Sequence, residues 1–188
     1  MKIARYLVLF LFLIGGIPVW SEESPQDDAA FSLLKLDRAG LLRAIGTPLE
    51  EVTDPGLTQA LWDSVVVQKD REAGSYYLYF LAKDRVTAFA SIDSFAKAHQ
   101  AELDEDLDGL KQELEGQGYV SRSRADFSGP RDLVYFDPKA GEWVGARVTA
   151  AEDGASLLSG LYTSDEASLG PVGQATAELY ARLQTQGR

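Results

Sequence analysis

A chain of 188 residues with 29 acidic and 18 basic side chains carries a formal charge of −11. That excess of anionic charge disfavours binding to nucleic-acid backbones and charge-driven binding to anionic lipid. Cysteine is absent, which excludes a disulfide framework, a thiolate nucleophile, a cysteine metal site and a lipidated N-terminal cysteine.

The first residues read as a targeting segment. Lys2 and Arg5 precede an unbroken apolar run from Tyr6 to Ile14, and Gly15, Gly16 and Pro18 follow. Val19 and Ser21 stand at the −3 and −1 positions of a cleavage site after Ser21. The run is short of the roughly 20 apolar residues a membrane span needs, so residues 1–21 are expected to be a signal peptide. No stable membrane span is expected after its removal. The expected location is outside the cytoplasm, periplasmic or secreted, in a bacterium. The polar stretch from Glu22 begins a lead-in covering residues 22–36, and residues 37–188 form one α+β domain.

Asp37 is placed to cap a helix over Arg38 to Ile45, with Leu41, Leu42 and Ile45 on one side; Gly46 stops it and Pro48 prevents continuation. Leu49 to Val52 reads as a further helical turn, and Asp54-Pro55-Gly56 as a turn. Val65-Val66-Val67 is a strand by β-branching. Ser75 to Ile92 (SYYLYFLAKDRVTAFASI) is the strongest strand signal. Both faces of its first arm are apolar or aromatic, as in a central strand covered on two sides, and Lys83-Asp84-Arg85 supplies a polar turn.

Asp93 or Ser94 is expected to cap a long helix whose stripe runs through Phe95, Ala98, Leu103, Leu107, Leu110 and Leu114. Gly116 and Gly118 end it. Tyr119 to Arg124 reads as a strand, and Leu133 to Thr149 as a second, weaker hairpin. Leu157 to Thr163 is one further strand, Leu169-Gly170-Pro171 a break, and residues 172–186 a C-terminal helix. The expected fold is therefore an antiparallel sheet of two helix-plus-three-strand pseudo-repeats, about 37–92 and 94–149, packed against helices.

Asp104 to Glu115 (DEDLDGLKQELE) satisfies the calcium-loop pattern, with Asp104, Asp106, Asp108 and Glu115 as carboxylate ligands and Gly109 at the turn. Lys111 departs from that pattern, no exiting helix follows, and the leucine stripe keeps an unbroken helical period. The competing reading is an acidic, solvated helix face, and no cofactor other than calcium is implied. His99 lacks a surrounding nucleophile and orienting carboxylate. The nucleophile-elbow, phosphate-loop and dinucleotide fingerprints do not occur.

Arg122 and Arg124 share one side of their strand, and Arg147 approaches them if the last strands pair. Such a cluster suits an anionic ligand or partner. Tyr77 and Tyr79 are the aromatic candidates for a ligand groove or contact face.

Leu41 to Pro48 (LLRAIGTP), followed by Trp62 and the hairpin from Tyr76 to Phe89, resembles the helix, Gly-x-Pro stop, tryptophan and antiparallel sheet of small exported BamE/SmpA-type modules. The tandem arrangement is similar to beta-lactamase inhibitor proteins, which duplicate a helix-plus-sheet unit. The resemblance covers roughly residues 37–92, with an echo over 94–149. It implies a non-catalytic binding or assembly module. The absence of cysteine departs from the lipoprotein character of the assembly modules, as does the long stretch between Pro48 and Trp62. The expected function is an exported binding or assembly protein acting through its sheet on an envelope protein. The alternative is a small or lipophilic ligand carrier with an aromatic cavity, and a hydrolase is the third.

Overall fold

The computed structural model describes residues 33–34, 36–53, 61–70, 74–151 and 154–186. The expected signal peptide, most of the lead-in and the turn expected at Asp54-Pro55-Gly56 lie outside the described residues. Eight strands form one antiparallel sheet: β1 (Glu50–Val52), β2 (Ser64–Lys69), β3 (Tyr76–Ala82), β4 (Arg85–Phe95), β5 (Val120–Ser121), β6 (Leu133–Asp137), β7 (Glu142–Ala150) and β8 (Ser156–Thr163). Among the described residues three α-helices accompany them: α1 (Arg38–Ile45), α2 (Gln100–Gly116) and α3 (Leu169–Gln186).

The spatial order is β1-β2-β3-β4-β8-β7-β6-β5. Each half is a helix followed by a four-stranded meander, and the halves join where β4 pairs with β8, from Ala88 opposite Thr163 to Phe95 opposite Ser156. This arrangement has a pseudo-two-fold between β4 and β8. The fourth strand of the second half is β8, the segment that sequence alone leaves as a detached extra strand. A strand's neighbours are set by long-range pairing, which local pattern does not reveal.

Local chemistry explains most element ends. Asp37 Oδ1 accepts from the Gly40 N–H at 2.7 Å. Gly46, at φ 76°, ends α1 by donating to the Leu42 carbonyl, a conformation glycine adopts without Cβ strain. The β3–β4 turn holds Lys83 and Asp84 at positive φ, the handedness that two-residue hairpins require. Asp63 Oδ2 accepts from the Lys83 N–H at 2.5 Å and pins this turn.

Four boundaries differ from expectation. Glu50–Val52 is a strand, paired with Val67 to Val65 of β2, rather than a helical turn. Asp93 to Phe95 continue β4 because pairing with β8 holds them extended; a short 3-10 turn over Lys97–His99 then leads into α2. The strand expected at Tyr119 to Arg124 is reduced to Val120–Ser121, since a bridge between Arg124 and Phe127 turns the chain away. Finally, α3 begins at Leu169 and includes Pro171. Proline fits a first helical turn, where its missing N–H has no intrahelical partner to lose.

The two sheet faces are both packed. On one face, Leu41 of α1 and Leu103, Leu107, Leu110 and Leu114 of α2 join Tyr77, Tyr79, Phe89, Tyr135 and Tyr162. On the other, Leu169, Val172, Ala175, Leu179 and Leu183 of α3 join Leu78, Phe80, Ile92 and Leu161. Each such large apolar side chain, fully buried, stabilises the fold by about 1.5–3 kcal/mol. Toward its end α3 meets the first half of the sheet, with Tyr180 edge-on to Tyr76 at 5.8 Å and Arg182 paired with Glu50 at 2.9 Å. At its start it lies against β7, where a Cβ on Gly145 would come within 3.3 Å of Leu169.

Candidate functional site

Where α3 crosses β7 and β8, a groove of about 510 Å³ remains. Its floor is Arg147 and Thr149 of β7 and Ser159 of β8. Alternation along β7 puts residues 147 and 149 on one face, and Arg147 is the register partner of Ser159. Its walls are Asp126 on one side and Gly170, Pro171, Gly173, Gln174, Ala177 and Glu178 of α3 on the other.

Arg147 is held from below and from the side. Its guanidinium lies 4.3 Å from the centre of the buried Phe127 ring, a cation–π arrangement. Its Nη2 donates to the Asp126 carbonyl. The Asp132 carboxylate stands 4.0 Å from its Nε, with its oxygens already accepting from the backbone N–H groups of Gly129 and Val148. Gly145 permits this packing, because a Cβ there would stand 3.0 Å from the Phe127 ring.

Asp126 is engaged by Arg124 through two parallel hydrogen bonds of 2.9 Å. Arg124 also donates to the Glu166 carbonyl at 2.7 Å, linking this wall to the turn before α3. The bidentate contact with Arg124 holds the Asp126 carboxyl below the usual carboxylate range and, in return, raises the Arg124 guanidinium. The Arg124–Asp126 pair is thus a fixed, neutral wall, while Arg147 keeps the remainder of its donor fork for the groove. Ser159, 7% exposed, and Thr149 make no side-chain hydrogen bond among the described residues. Gln174 donates to Glu178 at 2.9 Å across one helical turn.

Of the three arginines, the structure brings Arg124 and Arg147 to the same aspartate and separates Arg122. That side chain is exposed and lies 5.9 Å from the Phe136 ring, which packs on Trp143. The strand that would have aligned Arg122 with Arg124 ends at Ser121, so their two-residue spacing has no common face to define.

Tyr77 and Tyr79 are core residues rather than a contact face. Tyr79 is fully buried, its hydroxyl donates to Gln68 Oε1 at 3.1 Å, and burial pushes its phenol well above the ordinary range. Tyr77 stacks on Phe89 with ring centres 6.1 Å apart. Both belong to the core packed under α1 and α2, Tyr79 fully buried and Tyr77 nearly so.

The acidic run is helical throughout, in keeping with the unbroken leucine period, so the alternative calcium loop is not formed and its carboxylates fan out around α2. Asp104 turns outward to Arg131 at 2.9 Å. Asp106 is buried at 4% exposure, toward the sheet, and Asp108 is exposed. Glu115 accepts from the Tyr135 hydroxyl at 2.9 Å. Among the described residues no group of three or more His, Asp or Glu is placed to hold a metal ion. His99 is exposed and pairs with Glu102 at 3.3 Å.

Sequence reasoning missed Asp126, Thr149, Ser159, Gln174 and Glu178. Only the alternation of Arg147 with Thr149, and Ser159 interrupting the apolar run of β8, were signals of a polar strip on the sheet. Compared with protein-family models, with curated proteins and with solved structures, the chain matches none.

Proposed function

We propose that this is an exported, non-catalytic binding protein, and that it takes its ligand in the groove beside α3. The observation that carries this reading is the groove itself. Its volume, about 510 Å³, lies in the range of small-ligand pockets, and a few convergent polar groups line it. The rigid sheet holds those groups, and two hydroxyls there await partners. Export is supported by the basic-then-apolar start of the chain, Lys2 and Arg5 before Tyr6 to Ile14.

The tyrosines that an aromatic cavity would use are spent in the core, which favours a polar ligand over a lipophilic cargo. Ser159 makes no hydrogen bond to a histidine or carboxylate among the described residues, which favours binding over hydrolysis. Kinship with BamE/SmpA-type modules belongs to the same proposal. Its support is the order of α1, the Gly46-Thr47-Pro48 stop and Trp62 before the hairpin.

A plugged groove tests the reading. Ala177 is exposed on α3 and lines the groove, so Ala177→Trp fills it with little effect on the core. A small-molecule extract of the source cell envelope and medium should raise the melting temperature of the wild type by several degrees and leave Ala177→Trp unmoved. Equal response of the two proteins, or none from either, would sink the groove as the binding site.

A further inference from the structure

The ligand's chemistry follows from the charges around the groove, granted the binding reading above. The acids nearest Arg147 leave its outer edge open: Asp126 is taken by the fork of Arg124, and Asp132, held by two backbone N–H groups, meets Arg147 only at Nε, 4.0 Å away. The Arg147 guanidinium lies over Phe127, 4.3 Å from the ring centre, and makes one hydrogen bond, to a backbone carbonyl. A guanidinium fixed this way is preorganised for a planar carboxylate. Ser159, nine-tenths buried and without a hydrogen-bond partner, lies opposite Arg147 in the strand register and opens into the same groove. On the α3 wall stands an anion, Glu178, exposed, with one oxygen accepting from Gln174.

A dianion such as phosphate meets repulsion from Glu178, and a simple cation meets Arg147. A molecule carrying both signs satisfies both ends. We infer that the groove binds a small zwitterion, an amino carboxylate, with its carboxylate on Arg147 and Ser159 and its ammonium toward Glu178. Free amino acids and short peptides share this chemistry and differ in the separation of their charged ends.

The test is calorimetric titration of the protein with six probes: pooled L-amino acids, pooled dipeptides, and the N-acetylated and the C-amidated forms of each pool. One zwitterionic pool is expected to bind, and whether amino acids or dipeptides do so identifies the source. Both blocked forms should bind at least tenfold more weakly. Arg147→Lys, which keeps charge but loses the fork, and Ser159→Ala should each weaken binding about tenfold. Glu178→Gln, an exposed change that leaves packing untouched, should abolish the discrimination against N-acetylation alone.

The inference is overturned if neither zwitterionic pool binds, or if blocked and unblocked forms bind the wild type equally. It is overturned as to place if Ala177→Trp binds the zwitterion like the wild type. Extract binding that Ala177→Trp abolishes, together with silence from both zwitterionic pools, would remove this ligand class and leave the binding reading standing. Loss of both would remove the two together.

Discussion

Strands β3 and β7 hold equivalent places, each the outer neighbour of one strand of the central β4–β8 pair. Their fates differ. In β3 six of seven residues are buried, Tyr76 through Leu81. In β7 only Val144, Gly145 and Ala146 are buried, and Arg147 and Thr149 look into a groove. The sheet is near-symmetric and α1 and α2 respect that symmetry by sharing one face. Helix α3, the one helix on the other face among the described residues, does not, because a single element on a pseudo-two-fold sheet covers the halves unequally. Its end packs on the tyrosine-rich half, and its start leaves the polar half partly open. The groove is therefore a product of the asymmetric addition, while the repeated halves supply rigidity.

The largest test of the contrast is in the sealed strand. Phe80 is fully buried and packs against Trp62 at 4.7 Å. Phe80→Ala should destabilise by about 3–5 kcal/mol through lost burial and a cavity, read by urea denaturation. In the same assay Thr149→Ala in β7 should stay within about 0.5 kcal/mol. Comparable losses would mean that the two strands are equally packed and would break the comparison.

A smaller effect belongs to Asp93, at the end of β4 beneath α2. Burial, more than its neighbours Asp106 and Asp70, pushes its carboxyl above the usual range, although it accepts a hydrogen bond from Ser75. The folded-state pKa thus exceeds the unfolded one. The stability this group supports is complete below the unfolded value near about 3.9 and falls as pH rises through the folded value. Asp93→Asn keeps an acceptor for Ser75 and removes the charge. It should raise the urea midpoint at neutral pH and leave it unchanged near about pH 3. A lowered midpoint at neutral pH would show that the carboxylate is stabilising there.

The smallest effect is at the groove wall, with the opposite sign. Asp126 is held low by Arg124, so its contribution is present above the unfolded value and lost as pH falls through the folded one. The Asp126 carboxyl is 40% exposed, and screening limits the pair to about 0.5 kcal/mol. Asp126→Asn should cost about that much at pH 7, with the difference vanishing in acid. A pH-independent difference would assign the effect to packing rather than to the ion pair.

Much of the scaffold was legible because its signals are local. The leucines of α2 recur at helical spacing, Gly46 and Pro48 close α1, and the two-sided apolar run of β3 announces a covered strand. Three things were not legible. The start of α2 was misjudged because Asp93 and Ser94 look like caps, and only pairing with β8 shows that they are extended. The fourth strand of each half needed either a three-residue β1 or the β4–β8 contact to be recognised. The groove joins Asp126, Arg147, Ser159 and Glu178 from a turn, two strands and a helix, and no period in the chain relates them. Arg124 and Arg147 were found by charge type, although Arg124 serves Asp126 rather than a ligand.

The outermost strands are very short, three residues in β1 and two in β5. A sheet grows by exposing a long row of unpaired backbone donors and acceptors at its margin. Here that row hardly exists at either end. An eight-stranded protein with so much β-branched and aromatic sequence is thereby a poor template for strand addition, whether by a copy of itself or by an extended peptide.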